Sequence, residues 1–245
     1  MKGILHLSIL VVCGAATAVS AAAGQATITG RVVIGKALTK KRVTMPSYQL
    51  RGASVDSQEP EKSGKGAPVI DELSRVVVYL EGSGLDPGTP TKATLTQRNQ
   101  RFDPEIVVIP VGSTVSFPNA DPIFHNIFSL SKVKQFDLGY YPAGQTRTVT
   151  FDRPGLVQVY CHLHADMSAA ILVLPTASWT RPAIDGNFSL PSISAGIYDL
   201  VAWHRSAGFF RRRITVSGGE TLTVDLMIPI KEQDSSAEPA AESQR

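Results

Sequence analysis

The feature that most constrains the fold is a succession of short apolar runs, each ended by glycine- and proline-rich turn sequence. Valine, isoleucine and threonine dominate these runs, and the chain of 245 residues holds 20 glycines and 16 prolines. β-Branched residues favour strands, and short runs bounded by turn residues are typical of sheet proteins. No amphipathic helical pattern of useful length interrupts them. The sequence therefore predicts an all-β protein built from β-sandwiches.

The predicted strands fall into three stretches of the chain. Two strands come first, at 26–34 and 75–81. A dense middle block follows, with strands at 92–98, 106–110, 113–117, 126–130, 145–151, 156–161 and 169–174. Turn sequences such as PVG, PNADP, YPAGQ and DRPG separate most of them. After Pro175 the same pattern repeats in a smaller unit of four strands.

The two ends and one internal segment do not fit this sandwich pattern. Residues 1–23 combine Lys2, a short apolar run and an A-x-A site, which predicts an export signal; an uncleaved membrane anchor is the alternative. No other stretch is apolar enough for a membrane span. Residues 36–72 and 231–245 are polar and poor in large apolar residues, so both are expected to be disordered. The net charge of only +3 argues against nucleic acid as the main partner.

Export would leave Cys161 as the single cysteine of the mature chain, because Cys13 lies within the predicted signal. A single thiol cannot form an intrachain disulfide in an oxidising compartment. It therefore calls for another explanation, such as burial, an intermolecular bridge, catalysis or metal binding.

Cys161 lies in the stretch YCHLHADM, which also contains His164 and Met167. His125 follows another predicted strand, at the end of the loop PNADPIF. Two histidines, one cysteine and a weak axial methionine are the ligand type of blue-copper electron-transfer sites. The alternatives are a buried structural thiol, a nucleophile activated by a neighbouring histidine, and a zinc site, although methionine is a poor zinc ligand.

Other polar residues have simpler interpretations. His162 is expected to point away from Cys161 if strand alternation continues, and His204 is expected to be a surface histidine on a strand. Asp137 is interpreted as a turn cap. Residues 211–213, all arginine, are interpreted as a solvated strand edge, with steering toward an acidic partner as the functional alternative. The apolar residues beside His125 could be core or a docking rim: Ile123, Phe124 and Phe128.

The middle block, residues 90–175, resembles the cupredoxin family in the order GSTVSFPNAD, HN, FD, YCHLHADM and AAILVL. Its C-x-x-H-x-x-M spacing is most similar to that of amicyanin. The resemblance implies a Greek-key β-sandwich that binds one copper ion. It makes His125 and His164 imidazole ligands, Cys161 the thiolate and Met167 the axial thioether.

The resemblance also gives Asn126 a supporting role and marks one departure from the family. Asn126 would tie the His125 loop to the cysteine loop. His162 and Leu163 stand where relatives often carry small residues or proline.

The flanking segments resemble the carboxypeptidase regulatory-like, or transthyretin-like, β-sandwich family. The motifs are G-x-V at 30–32, an apolar strand at 76–80, DGNFSL at 185–190, G-x-Y-x-L at 196–200 and a G-x-T strand at 219–226. Residues 26–82 and 180–230 would then form one smaller sandwich, with the cupredoxin block inserted into it. Two consecutive domains are the alternative.

Together these patterns predict an exported, periplasmic blue-copper protein that carries single electrons between redox partner proteins. The periplasm is implied by the resemblance. No enzymatic turnover, small-molecule substrate or membrane span after signal cleavage is expected. A copper storage or delivery protein is the first alternative, since the same ligands would serve it. A copper or zinc enzyme and a structural binding module with a secondary metal site are the others.

Overall fold

The computed structural model describes residues 24–35 and 72–228. The predicted signal, nearly all of the predicted disordered segment 36–72 and the tail 231–245 lie outside the described residues. Glu72, assigned from sequence to the end of that segment, begins a short 3-10 helix at Glu72–Arg75. This is the one helical element of the described part, and the prediction of an all-β fold is confirmed.

Eighteen strands make up the rest of the regular structure in the described ranges. In chain order, β1 to β9 are Ala26–Ile34, Val76–Glu81, Lys92–Thr94, Thr96–Arg98, Arg101–Asp103, Ile106–Pro110, Ser113–Pro118, His125–Ser131 and Lys134–Tyr141. In the same order, β10 to β18 are Thr146–Phe151, Gly155–Tyr160, Ser168–Leu174, Trp179–Thr180, Asn187–Ile193, Gly196–His204, Gly208–Val216, Thr221–Thr223 and Leu226–Ile228.

The larger sheets separate the middle of the chain from its flanks. One sheet has the order β10-β7-β3 and another the order β6-β12-β11-β8-β9, so both use only strands between residues 92 and 174. A third sheet joins β14, β1 and β17, with β18 also pairing β1, and a fourth has the order β13-β2-β15-β16. Strands from before and after the middle block therefore share the same two sheets.

Three apolar clusters show that the four sheets are stacked in layers. One cluster fills the space between the two flanking sheets. A second lies between the two middle sheets and includes Cys161 and Met167. A third joins the flanking sheet of β2 and β15 to the middle sheet of β6 and β12, and Trp203 and Leu172 are among its members.

Two-sided burial explains why the central strands are continuously apolar. In β12, Ala169, Ile171 and Val173 face the middle cluster, while Ala170 and Leu172 face the third cluster. Side chains alternate across a strand, so a strand covered on both faces has no polar positions. β2 is likewise buried on both faces along most of its length.

Polar contacts reinforce the boundary between the flanking and middle sheets. The Arg75 guanidinium donates to both carboxylate oxygens of Glu105 at 2.9 Å. Arg205 Nε donates to Glu105 Oε1 at 2.7 Å and its Nη2 donates to Ser168 Oγ at 3.1 Å. Arg181 donates to the backbone carbonyls of Ser74 and Ile106.

Five local strand predictions differ from the structure. Two lie after Pro175, where β13 was not predicted and the last of the four predicted strands is two strands, β17 and β18. The strand predicted at 92–98 is two strands, because Leu95 is fully buried and its N–H donates to the Ser116 carbonyl. β3 pairs with β7 before this point, whereas β4 pairs with β5 after it. β5 was not predicted, and neither was β9, an edge strand whose sequence KQFDLGYY lacks a clean apolar pattern.

Candidate metal centre

The cysteine loop is the connection of a β-hairpin. β11 and β12 pair antiparallel up to Tyr160 opposite Ser168, so residues 161–167 form the loop between them. The Cys161 N–H donates to the Met167 carbonyl at 3.2 Å, and the Met167 N–H donates to the His164 carbonyl at 3.0 Å. These bonds bring the C-x-x-H-x-x-M residues around one point.

His125 reaches the same point from a neighbouring strand. It begins β8, which pairs with β11 through Phe128 and Tyr160. Residues that are 36 positions apart in sequence are therefore neighbours at one end of the middle sandwich. His125 is fully buried and Cys161 is 5% exposed.

The side chains of His125, Cys161 and His164 present their donor atoms to one another. Cys161 Sγ lies 3.8 Å from His125 Nδ1 and 3.7 Å from His164 Nδ1. One donor atom from each residue lies within 4.8 Å of the other two. The structure thus brings three of the four predicted ligands together, and each histidine has its Nδ1 atom nearest the cysteine sulfur in these contacts.

The two sulfur–nitrogen separations suit a single small metal ion bound by both kinds of atom. With metal–sulfur and metal–nitrogen distances of about 2.3 and 2.0 Å, a trigonal centre places sulfur and nitrogen about 3.7 Å apart, and a tetrahedral one about 3.5 Å apart. Both Sγ–Nδ1 distances lie within about 0.3 Å of these values. One thiolate with two imidazoles in a trigonal arrangement is the donor set of a type 1 copper site.

Met167, the fourth predicted ligand, is placed by its backbone bonds beside both Cys161 and His164. Its side chain is 1% exposed and belongs to the same apolar cluster as Cys161. The Met167 thioether is therefore buried in the same cluster as the Cys161 thiol.

Burial of His164 lowers the pKa of its imidazole, and the neighbouring His125 lowers it further, against a smaller opposing effect of Asp121. The rings of the two histidines lie 4.9 Å apart, centre to centre. A lowered pKa keeps the imidazole neutral, and the neutral ring has the lone pair that a metal requires.

The other ring nitrogen of His125 contacts a carboxylate that the sequence did not single out. His125 Nε2 lies 2.7 Å from Asp121 Oδ2, in the loop before β8. The backbone N–H groups of Asn99 and Gln100 also donate to this carboxylate. Burial raises the pKa of Asp121, but the hydrogen bonds outweigh it, so the pKa lies below its ordinary value.

Asn126 makes the link that the family resemblance implied. Its Oδ1 accepts from the His162 N–H at 3.2 Å, and its Nδ2 donates to Asp137 Oδ1 at 2.6 Å. Asp137 also accepts from the Gly139 N–H, as a turn cap does. β8, the strand that begins with His125, is therefore bonded to the loop that carries the other predicted ligands.

His162 is outside the group of donor atoms, as expected. Its ring stacks on Phe128 with centroids 3.8 Å apart, and its Nε2 lies 3.6 Å from Asp137 Oδ2. Its side chain is 45% exposed.

Burial corrects the prediction for His204 and decides between core and rim for the apolar residues beside His125. His204 is not a surface residue: it is fully buried, because β15 lies between two layers. Phe128 is also buried, whereas Phe124 and Ile123 are exposed beside the site, together with Leu163 from the cysteine loop. The apolar rim near the candidate centre therefore consists of these three exposed side chains.

The arginines at the predicted solvated edge are exposed but paired. Arg211 contacts Glu81 and Arg213 contacts Asp199, and both belong to β16 at the edge of its sheet. These pairs neutralise part of the positive charge. The described residues contain no helix long and apolar enough to cross a bilayer.

No protein-family model matches the chain, and no curated protein matches it. Several solved structures match part of it. The Cu-containing nitrite reductase (NirK) from Thermus scotoductus SA-01 is 26% identical over 36% of this chain and 23% of its own, with a TM-score of 0.33. The novel purple cupredoxin from Nitrosopumilus maritimus is 23% identical over 34% of this chain and 99% of its own, with a TM-score of 0.32.

A reduced amicyanin variant is 16% identical over 40% of this chain and 98% of its own, with a TM-score of 0.33. This chain therefore spans less than a quarter of the nitrite reductase but nearly all of the two small proteins. At these TM-scores the similarity is confined to part of the chain and does not define its family. The carboxypeptidase regulatory-like resemblance of the flanking sheets stays a prediction.

Proposed function

We propose that this chain is an exported copper protein that carries single electrons between redox partner proteins. His125, Cys161, His164 and Met167 would bind one copper ion. The observation that carries the proposal is the pair of Sγ–Nδ1 distances of 3.7 and 3.8 Å, which suit a trigonal CysHis₂ centre. Export to the periplasm rests on the sequence of residues 1–23.

Bound copper would supply the Cu(I)/Cu(II) couple, and the protein would supply a fixed set of donors. The thiolate and thioether favour Cu(I), and imidazoles suit both oxidation states. The hairpin bonds around the loop and the Asn126 link hold the donors in place, so little needs to move when the charge changes. Buried Met167 and His125 exclude water from the inner side.

A carrier also needs a surface where a partner approaches the metal. His164 is the least buried of the three grouped donors, and the exposed side chains of Phe124 and Leu163 lie near the site. We therefore place electron entry and exit at this end of the middle sandwich. No small-molecule substrate, nucleic-acid partner or enzymatic turnover forms part of the proposal.

We further propose that the middle block is a cupredoxin domain inserted into a transthyretin-like sandwich. The sharing of two sheets by strands from both flanks supports this arrangement over two consecutive domains.

The test is a visible absorption spectrum of the purified protein during titration with Cu(II). We expect an intense thiolate-to-copper band that Cys161→Ala and His164→Ala abolish and Met167→Leu shifts. His162→Ala is the matched control, because this histidine is one residue from the cysteine but faces Phe128. It should keep the band unchanged.

Two outcomes would redirect the proposal. Tight colourless zinc binding without a copper band would contradict it. A copper band with rapid loss of the ion to a chelator, and no reversible one-electron couple, would favour storage or delivery over electron transfer.

A further inference from the structure

Asp121 is the only buried carboxylate among the residues that the structure describes, with 5% of its surface exposed. Buried carboxylates are costly unless they are paired and hydrogen-bonded. This one accepts from the N–H groups of Asn99 and Gln100, and its Oδ2 lies 2.7 Å from His125 Nε2. Its own N–H donates to Asn119 Oδ1 at 3.0 Å, which fixes the loop at that position.

A separate element of the fold holds this carboxylate in place. Asn99 and Gln100 are the two central residues of the tight turn between β4 and β5, with φ of 53° and 55°. Positive φ at both positions is typical of a type I′ hairpin turn; asparagine tolerates it, whereas it is unfavourable for glutamine. The turn points two successive N–H groups at Asp121 in spite of that strain.

The Asp121 contact assigns the two nitrogens of His125 to different tasks. Nε2 lies 2.7 Å from Asp121 Oδ2, and an ionised carboxylate can only accept, so Nε2 carries the proton. Nδ1 then has a free lone pair, and it lies 3.8 Å from Cys161 Sγ, on the side of the other donor atoms.

We propose that Asp121 is a positioning residue that holds His125 as the Nε2–H tautomer and strengthens Nδ1 as a donor to copper. The proposal rests on the copper-binding function proposed above. A carboxylate hydrogen bond makes an imidazole more basic, and such partners alter metal affinity by about 10- to 100-fold. A stronger donor favours Cu(II) over Cu(I), so Asp121 lowers the reduction potential of the centre.

The first measurement needs no metal. Nitrogen-15 NMR of the imidazoles in the metal-free protein, at about pH 8.5 where histidine is neutral, reports which ring nitrogen carries the proton. We expect His125 to be the Nε2–H tautomer in the wild type and a mixture in Asp121→Asn. An Nδ1–H tautomer in the wild-type protein would overturn the proposal even if the variant failed to fold.

The second measurement compares copper affinity and reduction potential in Asp121→Asn and the wild type. The two carboxylate oxygens of Asp121 contact the Asn99 N–H, the Gln100 N–H and His125 Nε2. The asparagine side chain has only one oxygen, so either a turn N–H or His125 Nε2 loses its acceptor. We expect Cu(II) affinity to fall about 10- to 100-fold, Cu(I) affinity to change less and the potential to rise. Asp152→Asn, an exposed carboxylate paired with Lys134, is the matched control and should change neither quantity.

Equal affinities and equal potentials in Asp121→Asn and the wild type would show that Asp121 only anchors the turn, which contradicts the proposal. A wild-type protein that binds no copper would end the proposed function. In that case the tautomer measurement still decides whether Asp121 orients His125, so the two failures are distinguishable.

Discussion

Burial and hydrogen bonding give the four described histidines different roles. His125 and His164 present Nδ1 to the Cys161 sulfur. His162 is exposed and its ring stacks on Phe128. His204 is buried and belongs to a different part of the chain. Sequence spacing separates the first two from the others only when it is combined with strand alternation. The environment of His204 depends on which sheets cover β15.

Buried His204 is held in its neutral form by its surroundings. Nδ1 accepts from the N–H groups of Ser206 and Ala207 at 3.2 and 3.1 Å, and Nε2 lies 3.2 Å from Glu72 Oε2. Burial lowers the pKa of His204, Glu72 opposes this effect, and Arg75 adds to it. The folded protein therefore binds a proton at His204 less readily than the unfolded chain does.

We expect this group to destabilise the fold as the pH drops below its ordinary pKa of 6.5. In that range the unfolded state binds more protons, so stability decreases with falling pH by up to about 1.4 kcal/mol per pH unit from this group. His204→Asn, which keeps an acceptor near Nδ1, should show a shallower decrease between pH 7.5 and 5.5 in urea denaturation. An unchanged slope in His204→Asn would contradict the prediction.

Among the strands, the pairing of β11 with β12 and β8 positions the candidate ligands, and the pairing of β1 with β17 and β18 organises one flanking sheet. The β11–β12 register fixes the ends of the seven-residue ligand loop, and β8 brings His125 beside it. In the flanking sheets, β1 pairs with β17 along its first half and with β18 along its second. Gly30 lies at the change of partner.

Gly30 is needed for space at that position rather than for its backbone conformation. A Cβ atom there would lie 1.9 Å from the Val224 carbonyl oxygen and 3.0 Å from the Phe188 ring. We expect Gly30→Ala to cost about 3 kcal/mol in the free energy of unfolding, because the backbone must move. Gly84→Ala, with nothing within 4 Å but a φ of 78°, should cost only about 1 kcal/mol. Equal losses in the two variants by urea denaturation would show that β1 and the Val224 segment are not packed this closely.

On the scale of the whole molecule, the four layers are joined by the apolar cluster that includes Leu172 and Trp203. This cluster packs the flanking sheets against the back of the sheet that carries the cysteine hairpin. Arg205 from the flanking part reaches Ser168, the first residue after the ligand loop. The flanking sandwich therefore supports the sheet from which the candidate ligands project.

Leu172→Ala should weaken the junction between the layers and cost about 2–5 kcal/mol, since it leaves a cavity at a position that is 1% exposed. Leu130→Ala removes the same atoms from a side chain that is 70% exposed, and its effect should stay within about 0.5 kcal/mol. Urea denaturation of the metal-free protein measures both. A cost for Leu172→Ala as small as that of Leu130→Ala would show that the layers are not packed through this cluster.

The fold class, most strands and the group of candidate donors could be predicted from the residues alone. β-Branched runs and turn residues are local signals, and C-x-x-H-x-x-M is short enough for one hairpin loop to bring its members together. The strand at 134–141 was missed because an edge strand needs no apolar face, and 92–98 was read as one strand because the change of partner at Leu95 leaves no local signal.

Contacts between residues that are distant in sequence could not be predicted and are seen only in the folded chain. Asp121 is an ordinary loop aspartate in the sequence, and its bond to His125 depends on a turn more than 20 residues earlier in the chain. The burial of His204 and the two-sided burial of β12 likewise depend on how sheets from separate parts of the chain stack. Local sequence sets the conformation of a strand and the spacing within a loop, but pairing and layer packing are long-range interactions that no short stretch encodes.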